Sequence, residues 1–507
     1  MLLTLLTFIP LLGAILVAGL PTRNDKVLRG ITLAVTAIVA VLGIVVYNGF
    51  DGADPDAQYV AQADWFQLGK INVQYLLGVD GLSILLVTLT AALMPFVAAA
   101  SGGHIKQRTR EFLVWLLVME TGMMGVFLSL DVMLFYFFWE VSLIPLYFIL
   151  GIWGAEKRIY ATLKFFLYTL SGSLLMLVAV IAAVYGAEST SIVAMTEWAK
   201  DQPLSVTGWL FAGFAIAFAI KVPVFPFHTW LADAHTQAPT AGSVILAGVL
   251  LKMGTYGLLR FGIAMFPAAA IEAAPVFMLL GAFGIVYGAF LAMAQTDVKR
   301  LIACSSVSHL GFVVMGMFAL TAAGVRGSVL QMVNHGLSTG LLFLLFGALY
   351  ERRHSRSIDQ YGGLAACVPM FAFFWIFSML ASVGLPGLNG FVGEWLILLG
   401  TFQASPWIAA IAVTGVIFGA VYLLMVTRKL LFGPVVHEEN RKLEDLKPIE
   451  LAVVVPLCAA CLWIGVAPGG PLGKMDGSVN DLIKTLDETR QGLESAELPV
   501  ENEERAQ

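Results

Sequence analysis

Apolar residues run in stretches of about 20, the length that crosses a bilayer as a helix. Fourteen such stretches lie near 2–20, 27–49, 78–100, 111–129, 132–153, 160–186, 208–222, 241–262, 275–295, 301–322, 328–350, 367–383, 406–430 and 449–467. Two further apolar pieces, 224–238 and 391–403, follow prolines and read as second halves of broken helices. The pattern predicts an all-α polytopic membrane protein with about 14 transmembrane helices. The loops between the runs fall into two alternating sets. One set holds eighteen Lys and Arg residues: Arg23, Lys26, Arg29, Lys106, Arg108, Arg110, Lys157, Arg158, Lys299, Arg300, Arg352, Arg353, Arg356, Arg428, Lys429, Arg441, Lys442 and Lys447. The other holds only Lys70, Lys200 and Arg326. Basic loops stay cytoplasmic, so both termini are expected on the opposite, outer side.

Two outer segments have a pattern of their own. "WFQLGKINVQYL" alternates apolar and polar positions around Gly69-Lys70, which predicts a hairpin. Val479, Leu482, Ile483 and Leu486 have helical spacing, which predicts a short amphipathic helix. After Leu493 the sequence turns acidic and loses periodicity, which predicts disorder.

Composition narrows the function. Hydrophobic residues make up 59% and charged residues 12%, about half the charge of a soluble domain. The net charge of −5 is accounted for by the segment from Lys474 onward, with nine acidic and four basic residues, so the rest is neutral and no nucleic-acid partner is expected. The first apolar run has no basic residue before it and reads as an uncleaved span. Of the four cysteines, Cys458 and Cys461 form a lone "CAAC". A structural zinc or an iron–sulfur cluster wants four ligands, so these read as small core residues. No Walker loop and no dinucleotide fingerprint is present. No cofactor and no metal is expected in this chain.

Against this apolar background a few ionisable residues stand out. Glu140 lies in "LFYFFWEVSLIPLYFIL", Lys221 in "FAIAFAIKVPVFPFHTW" and Lys252 in "AGVLLKMGTYGLL". His309 and His335 lie in "SSVSHLGF" and "MVNHGLS", and Glu394 follows the break at Pro386. Lys164 lies close enough to a membrane face to snorkel into water. His228 and His235 lie in the broken segment "HTWLADAHTQAPTAGS". An ionisable group at mid-membrane costs on the order of 2.5–3.5 kcal/mol and is functional by default. One buried Lys–Glu pair can simply pin two helices. Acids, lysines and histidines in six separate spans, without metal-ligand spacing, read instead as a file that hands protons along. The prolines fit. Pro223 and Pro226 remove backbone donors just after Lys221, and Pro386 does so before Glu394. Freed carbonyls in a membrane are tolerated only inside protein or beside a water-filled cavity. Glu140 to Lys221 is 81 residues and His309 to Glu394 is 85. Spans 4–8 and spans 9–13 therefore read as two five-helix repeats, each with a broken helix. Five is odd, so the second is inverted relative to the first.

At these residues the chain resembles a known family. "HTWLADAHTQAPTAGSVILAGVLLKMGTYGLLRF", "VDGLS", "FWEVSLIPLYFILG", "SSVSHLGF", "NHG" and "GLPGLNGFVGEW" are similar, in that family's order, to the chain M type of antiporter-like membrane subunit of respiratory complex I, the proton-pumping NADH:quinone oxidoreductase. The similarity spans roughly residues 78–430. It implies a translocase subunit of a bacterial inner membrane. The proton-carrying residues it implies are Glu140, Lys221, Lys252 and Glu394, with His309, His335 and His228 on a secondary path. NADH, FMN, iron–sulfur clusters and quinone are then expected in other subunits. The implied partners are other complex I membrane subunits, including two further antiporter-like ones, which the hairpin and the tail helix would clasp. The implied domains are 1–110, 111–262, 275–430 and 431–507. The alternative within the wider family is a subunit of an Mrp-type cation/proton antiporter.

Overall fold

The computed structural model describes residues 1–22 and 24–497 of this chain. Among the described residues, thirteen helices are long and apolar enough to cross a membrane. Spans 1–3 are Leu2–Gly19, Asp25–Gly49 and Ile84–His104. Spans 4–6 are Thr109–Leu128, Val132–Trp153 and Arg158–Ala187. Span 7 is split into Leu204–Lys221 and Thr229–Gln237. Span 8 runs over Thr240–Ala264 and spans 9–11 are Pro267–Met293, Val298–Phe318 and Ala322–Arg353. Span 12 is split into Pro369–Val383 and Asn389–Ala404. At about 1.5 Å per residue each half of span 12 falls short of the ~30 Å hydrocarbon core, and only the two together are long enough to cross it. Spans 13 and 14 are Pro406–Leu431 and Pro448–Val466.

The two breaks follow from the prolines and are closed by the protein. After Lys221 the freed carbonyl of Ile220 accepts a hydrogen bond from the buried Trp230 indole at 2.9 Å. At the second break Gly384 has φ +82°, a conformation that favours glycine. A side chain there would also stand 3.1 Å from the Glu394 carboxylate.

A shared device marks the two repeats. Asp131 caps span 5 by accepting from the backbone N–H groups of Met133 and Leu134, and Asp297 caps span 10 through Arg300 N–H. Asp131 bridges to Ser191, and Asp297 bridges to Ser357. Each bridge closes 60 residues. The same bridge recurs at opposite faces, because five helices lead from one half to the next.

The hairpin forms as predicted, with β1 (Gln58–Leu68) antiparallel to β2 (Ile71–Val79) and Leu68 opposite Ile71. The tail helix is longer than its four apolar positions require. It spans Asp476–Glu497, with Val479, Leu482 and Leu486 buried. It continues past Leu493, where disorder is predicted, although its last buried apolar residue, Leu486, lies two turns earlier. The rest of that acidic tail lies outside the described residues. The short helix Ile192–Lys200, between spans 6 and 7, is not foreseen by the apolar pattern.

Candidate functional site

Spans 8, 10, 11 and 12 bring the distant ionisable residues into one buried line. Span 8 does so with an irregular helix. Two π-helical stretches, Leu246–Leu250 and Leu258–Ala264, flank the segment that carries Lys252. Such stretches loosen the regular backbone ladder and recur at functional sites. The Lys252 ammonium donates to the carbonyl of Ala247 in the first of them. It also lies 2.6 Å from His335 Nδ1. His335 Nε2 is 3.0 Å from the Ser306 hydroxyl. The rings of His335 and His309 are 5.7 Å apart. His309 Nδ1 then meets the Glu394 carboxylate at 3.3 Å, and the Tyr422 hydroxyl meets His309 Nε2 at 3.4 Å. Lys252, His335, His309 and Glu394 are all buried.

Glu394 is held from a second direction. Gln331 donates to it at 3.1 Å, and Asn334 donates to both Gln331 and the Asn389 carbonyl, at 3.0 and 2.7 Å. Asn389 opens the second half of span 12, so this network ties the break to span 11. Ser306, Gln331, Asn389 and Tyr422 are not legible as site residues in the sequence, because neutral polar residues recur throughout the spans.

The first half of the line is arranged differently. Lys221 is buried at the end of the first half of span 7, and no ion pair joins it to Glu140. Its ammonium instead lies over the Trp139 ring, 5.1 Å from the centroid. Glu140, the next residue on span 5, keeps a buried carboxyl oxygen without a hydrogen-bond partner among the described residues. Lys221 also abuts span 8. A Cβ added at Gly254 would lie 3.0 Å from the Lys221 Cβ and 2.8 Å from Val222. Only glycine lets the broken helix come so near Lys252.

Other expected residues fall outside the line. His228 stands apart, 3.1 Å from the Tyr287 hydroxyl. His235 is fully buried, stacked on Phe343 at 4.8 Å, and neither ring nitrogen has a partner among the described residues. Lys164 does not snorkel freely. It pairs with Asp233 at 2.7 Å, and Arg300 pairs with the same carboxylate at 3.1 Å. Sequence reasoning also missed Glu120. It sits fully buried in span 4, and both its oxygens lack a partner among the described residues. An acid in the middle of the run 111–129 is signal enough to have found it.

Broken helices in paired repeats, with buried lysines, histidines and acids in file between them, define an antiporter-like ion translocator. The family model described as "NADH:quinone oxidoreductase/Mrp antiporter, TM" matches residues 129–419, and "NADH-ubiquinone oxidoreductase chain 4, amino terminus" matches residues 63–126. The chain belongs to the NADH:quinone oxidoreductase/Mrp antiporter transmembrane family. It is 44% identical over 500 residues to NADH-quinone oxidoreductase subunit M of Rhodobacter capsulatus, covering 95% of this chain and 96% of that one. It is also similar to a chain in the structure of respiratory complex I from Thermus thermophilus with bound NADH, with TM-score 0.86 and 32% identity, covering 95% of this chain and 100% of that chain. A chain of the Mrp complex from Dietzia sp. DQ12-45-1b has TM-score 0.84 at 19% identity, covering 96% and 98%, which shows a shared fold.

Proposed function

We propose that this chain moves protons across a bacterial inner membrane as the antiporter-like M subunit of NADH:quinone oxidoreductase. The observation that carries the reading is the buried line Lys252–His335–His309–Glu394. Neutral His335 can accept a proton at Nδ1 from Lys252 and release one at Nε2 toward Ser306. Redox chemistry, with NADH, FMN, iron–sulfur clusters and quinone, is assigned to other subunits. Two further antiporter-like subunits are assigned as neighbours. On this reading residues 1–110 and 431–507 frame the two repeats at 111–262 and 275–430. The identity to subunit M supports this reading over an Mrp-type antiporter.

Glu140 and Lys221 form the switch. When they close to about 4–6 Å, each favours the charged form of the other. When they part, Lys221 is left without a counter-charge and its proton passes toward Lys252 across the Gly254 contact. Moving a charge through 100 mV takes roughly 2.3 kcal/mol. Removing one member of a buried pair costs about 3–5 kcal/mol, so pairing is large enough to gate the step. Glu140→Gln and Lys221→Ala should each sharply lower proton pumping and coupled turnover, normalised to assembled complex. The double variant should be little worse than either single one. Near-normal normalised activity in either single variant would sink the switching role.

A further inference from the structure

The groups described so far leave Glu120 unused. It is fully buried in span 4, and neither carboxyl oxygen has a hydrogen-bond partner among the described residues. Its position relative to Lys252 follows from one contact. The Tyr256 hydroxyl of span 8 donates to the Phe127 carbonyl of span 4 at 3.4 Å, and the two rings are 5.4 Å apart. Spans 4 and 8 run in the same direction. Lys252 lies one turn before Tyr256, on the same face of span 8. Glu120 lies two turns before Phe127, on the same face of span 4. At about 1.5 Å per residue, the two levels differ by only about 4.5 Å. Span 4 therefore turns an unpartnered carboxyl toward the span 8 face that carries Lys252. On its other flank span 4 packs against span 5, where a Cβ at Gly122 would meet Ser142 N at 2.9 Å, half a turn from Glu140. The helix that carries Glu120 thus borders the helices of both Glu140 and Lys252.

A buried carboxyl without a partner is expensive as an anion. As an anion it needs a cation beside it. Lys252 can offer one, because its long stem is flexible and its present contacts lie toward span 11. We propose that Glu120 is a further proton carrier of the translocation path, which exchanges its proton with Lys252. Once Lys252 has passed a proton to His335 its amine is neutral. The Glu120 O–H bond then breaks and an N–H bond forms, directly or through one water. This leaves a carboxylate beside an ammonium, each stabilising the other. The next proton delivered from Lys221 returns Glu120 to the acid. Glu120 is then the store that lets Lys252 be reloaded before the Glu140–Lys221 switch has reset.

The inference rests on the function proposed above, and its test separates the two. In the assembled complex, Glu120→Gln keeps the shape and removes the exchangeable carboxyl proton. Its pumping and turnover per assembled complex should fall several-fold, and Glu120→Asp should recover part of the loss. Redox-induced infrared difference spectra should lose a protonated-carboxyl C=O band in Glu120→Gln, a change that a merely space-filling residue does not cause. Glu120→Met fills the site without a polar atom and serves if the Gln variant does not assemble. Wild-type pumping in either assembled variant, or an unchanged carboxyl band in Glu120→Gln, overturns the proposal. Normal pumping in Lys221→Ala as well would instead indict the translocation reading of the chain.

Discussion

Glu394 shows at the residue scale how partners and function can be told apart. It accepts from Gln331 at 3.1 Å and meets His309 at 3.3 Å. Both partners are served by an oxygen acceptor, and a glutamine supplies one in the same place. Glu394→Gln should therefore leave the second break folded and the complex assembled. What the amide cannot do is take up a proton delivered through His309. Proton pumping and quinone-linked turnover per assembled complex should both fall. Unchanged values of both would remove Glu394 from the path. The sequence already separated this acid from its surroundings, since no basic residue stands within ten positions of it. The fold supplies the missing counterpart from span 10, 85 residues away. Lys252 and His335 are joined in the same way, by helices adjacent in space and distant in the chain. Apolar periodicity places each such residue in a span but says little about which faces meet, which is why the order of the buried line is legible only in three dimensions.

The broken helices carry the argument at the scale of the element. A proline frees a carbonyl, and the cost of leaving it bare in an apolar interior is about 1–3 kcal/mol. At the first break Trp230, on the far half of the helix, donates back to Ile220 beside Lys221. Trp230→Phe keeps the ring against Phe165 and removes that donor. It should destabilise the subunit by about 1–3 kcal/mol, read as a lower melting temperature of the complex. It should also lower normalised pumping, because the end of the helix that aims Lys221 is loosened. An unchanged melting temperature and unchanged pumping would mean that the indole does not close the break. Both breaks, the hairpin and the spans themselves are legible in the sequence, because each has a strong local cause: a proline, a Gly-Lys turn, a long apolar run. The helix Ile192–Lys200 and the π-helical stretches of span 8 are not. The first is short and weakly patterned. The second have ordinary helical composition, with nothing in their residues to mark the extra turn width. Glu120 is visible in the sequence as an acid inside an apolar run, but no proline break lies near it to mark a site.

At the scale of the whole molecule, contacts between loops sort the two faces without reference to charge. Gly477 N–H donates to the Gly52 carbonyl, Leu130 N–H to Leu76, and Val132 N–H to Thr190, while Arg326 pairs with Asp476 at 2.9 Å. The loops after spans 2, 4, 6 and 10 and the tail helix therefore share one face with the hairpin. On the other face Arg110 reaches the Thr22 carbonyl, Ala155 N–H the Gln237 carbonyl, and Arg356 the Thr236 carbonyl. These ties join the loops after spans 1, 3, 5, 7 and 11. An even number of spans puts Met1 and the tail helix on the hairpin face. That face has only Lys70, Lys200 and Arg326 among its interspan loops, and the opposite face has the basic set, of which Arg23 lies outside the described residues. Each Lys or Arg near an anionic leaflet is worth about 1 kcal/mol, so the imbalance strongly favours one orientation over its inverse. The expected arrangement has the hairpin, the tail helix and both termini outside the cytoplasm, with the basic loops within it. A reporter that works only outside the cytoplasm should be active when fused after Gln507 and silent in the loop at Ser357. A reporter that works only inside should give the opposite result. Activity of the inside-only reporter after Gln507 would invert the topology, and with it the side from which protons enter the line at Lys221 and leave it at Glu394.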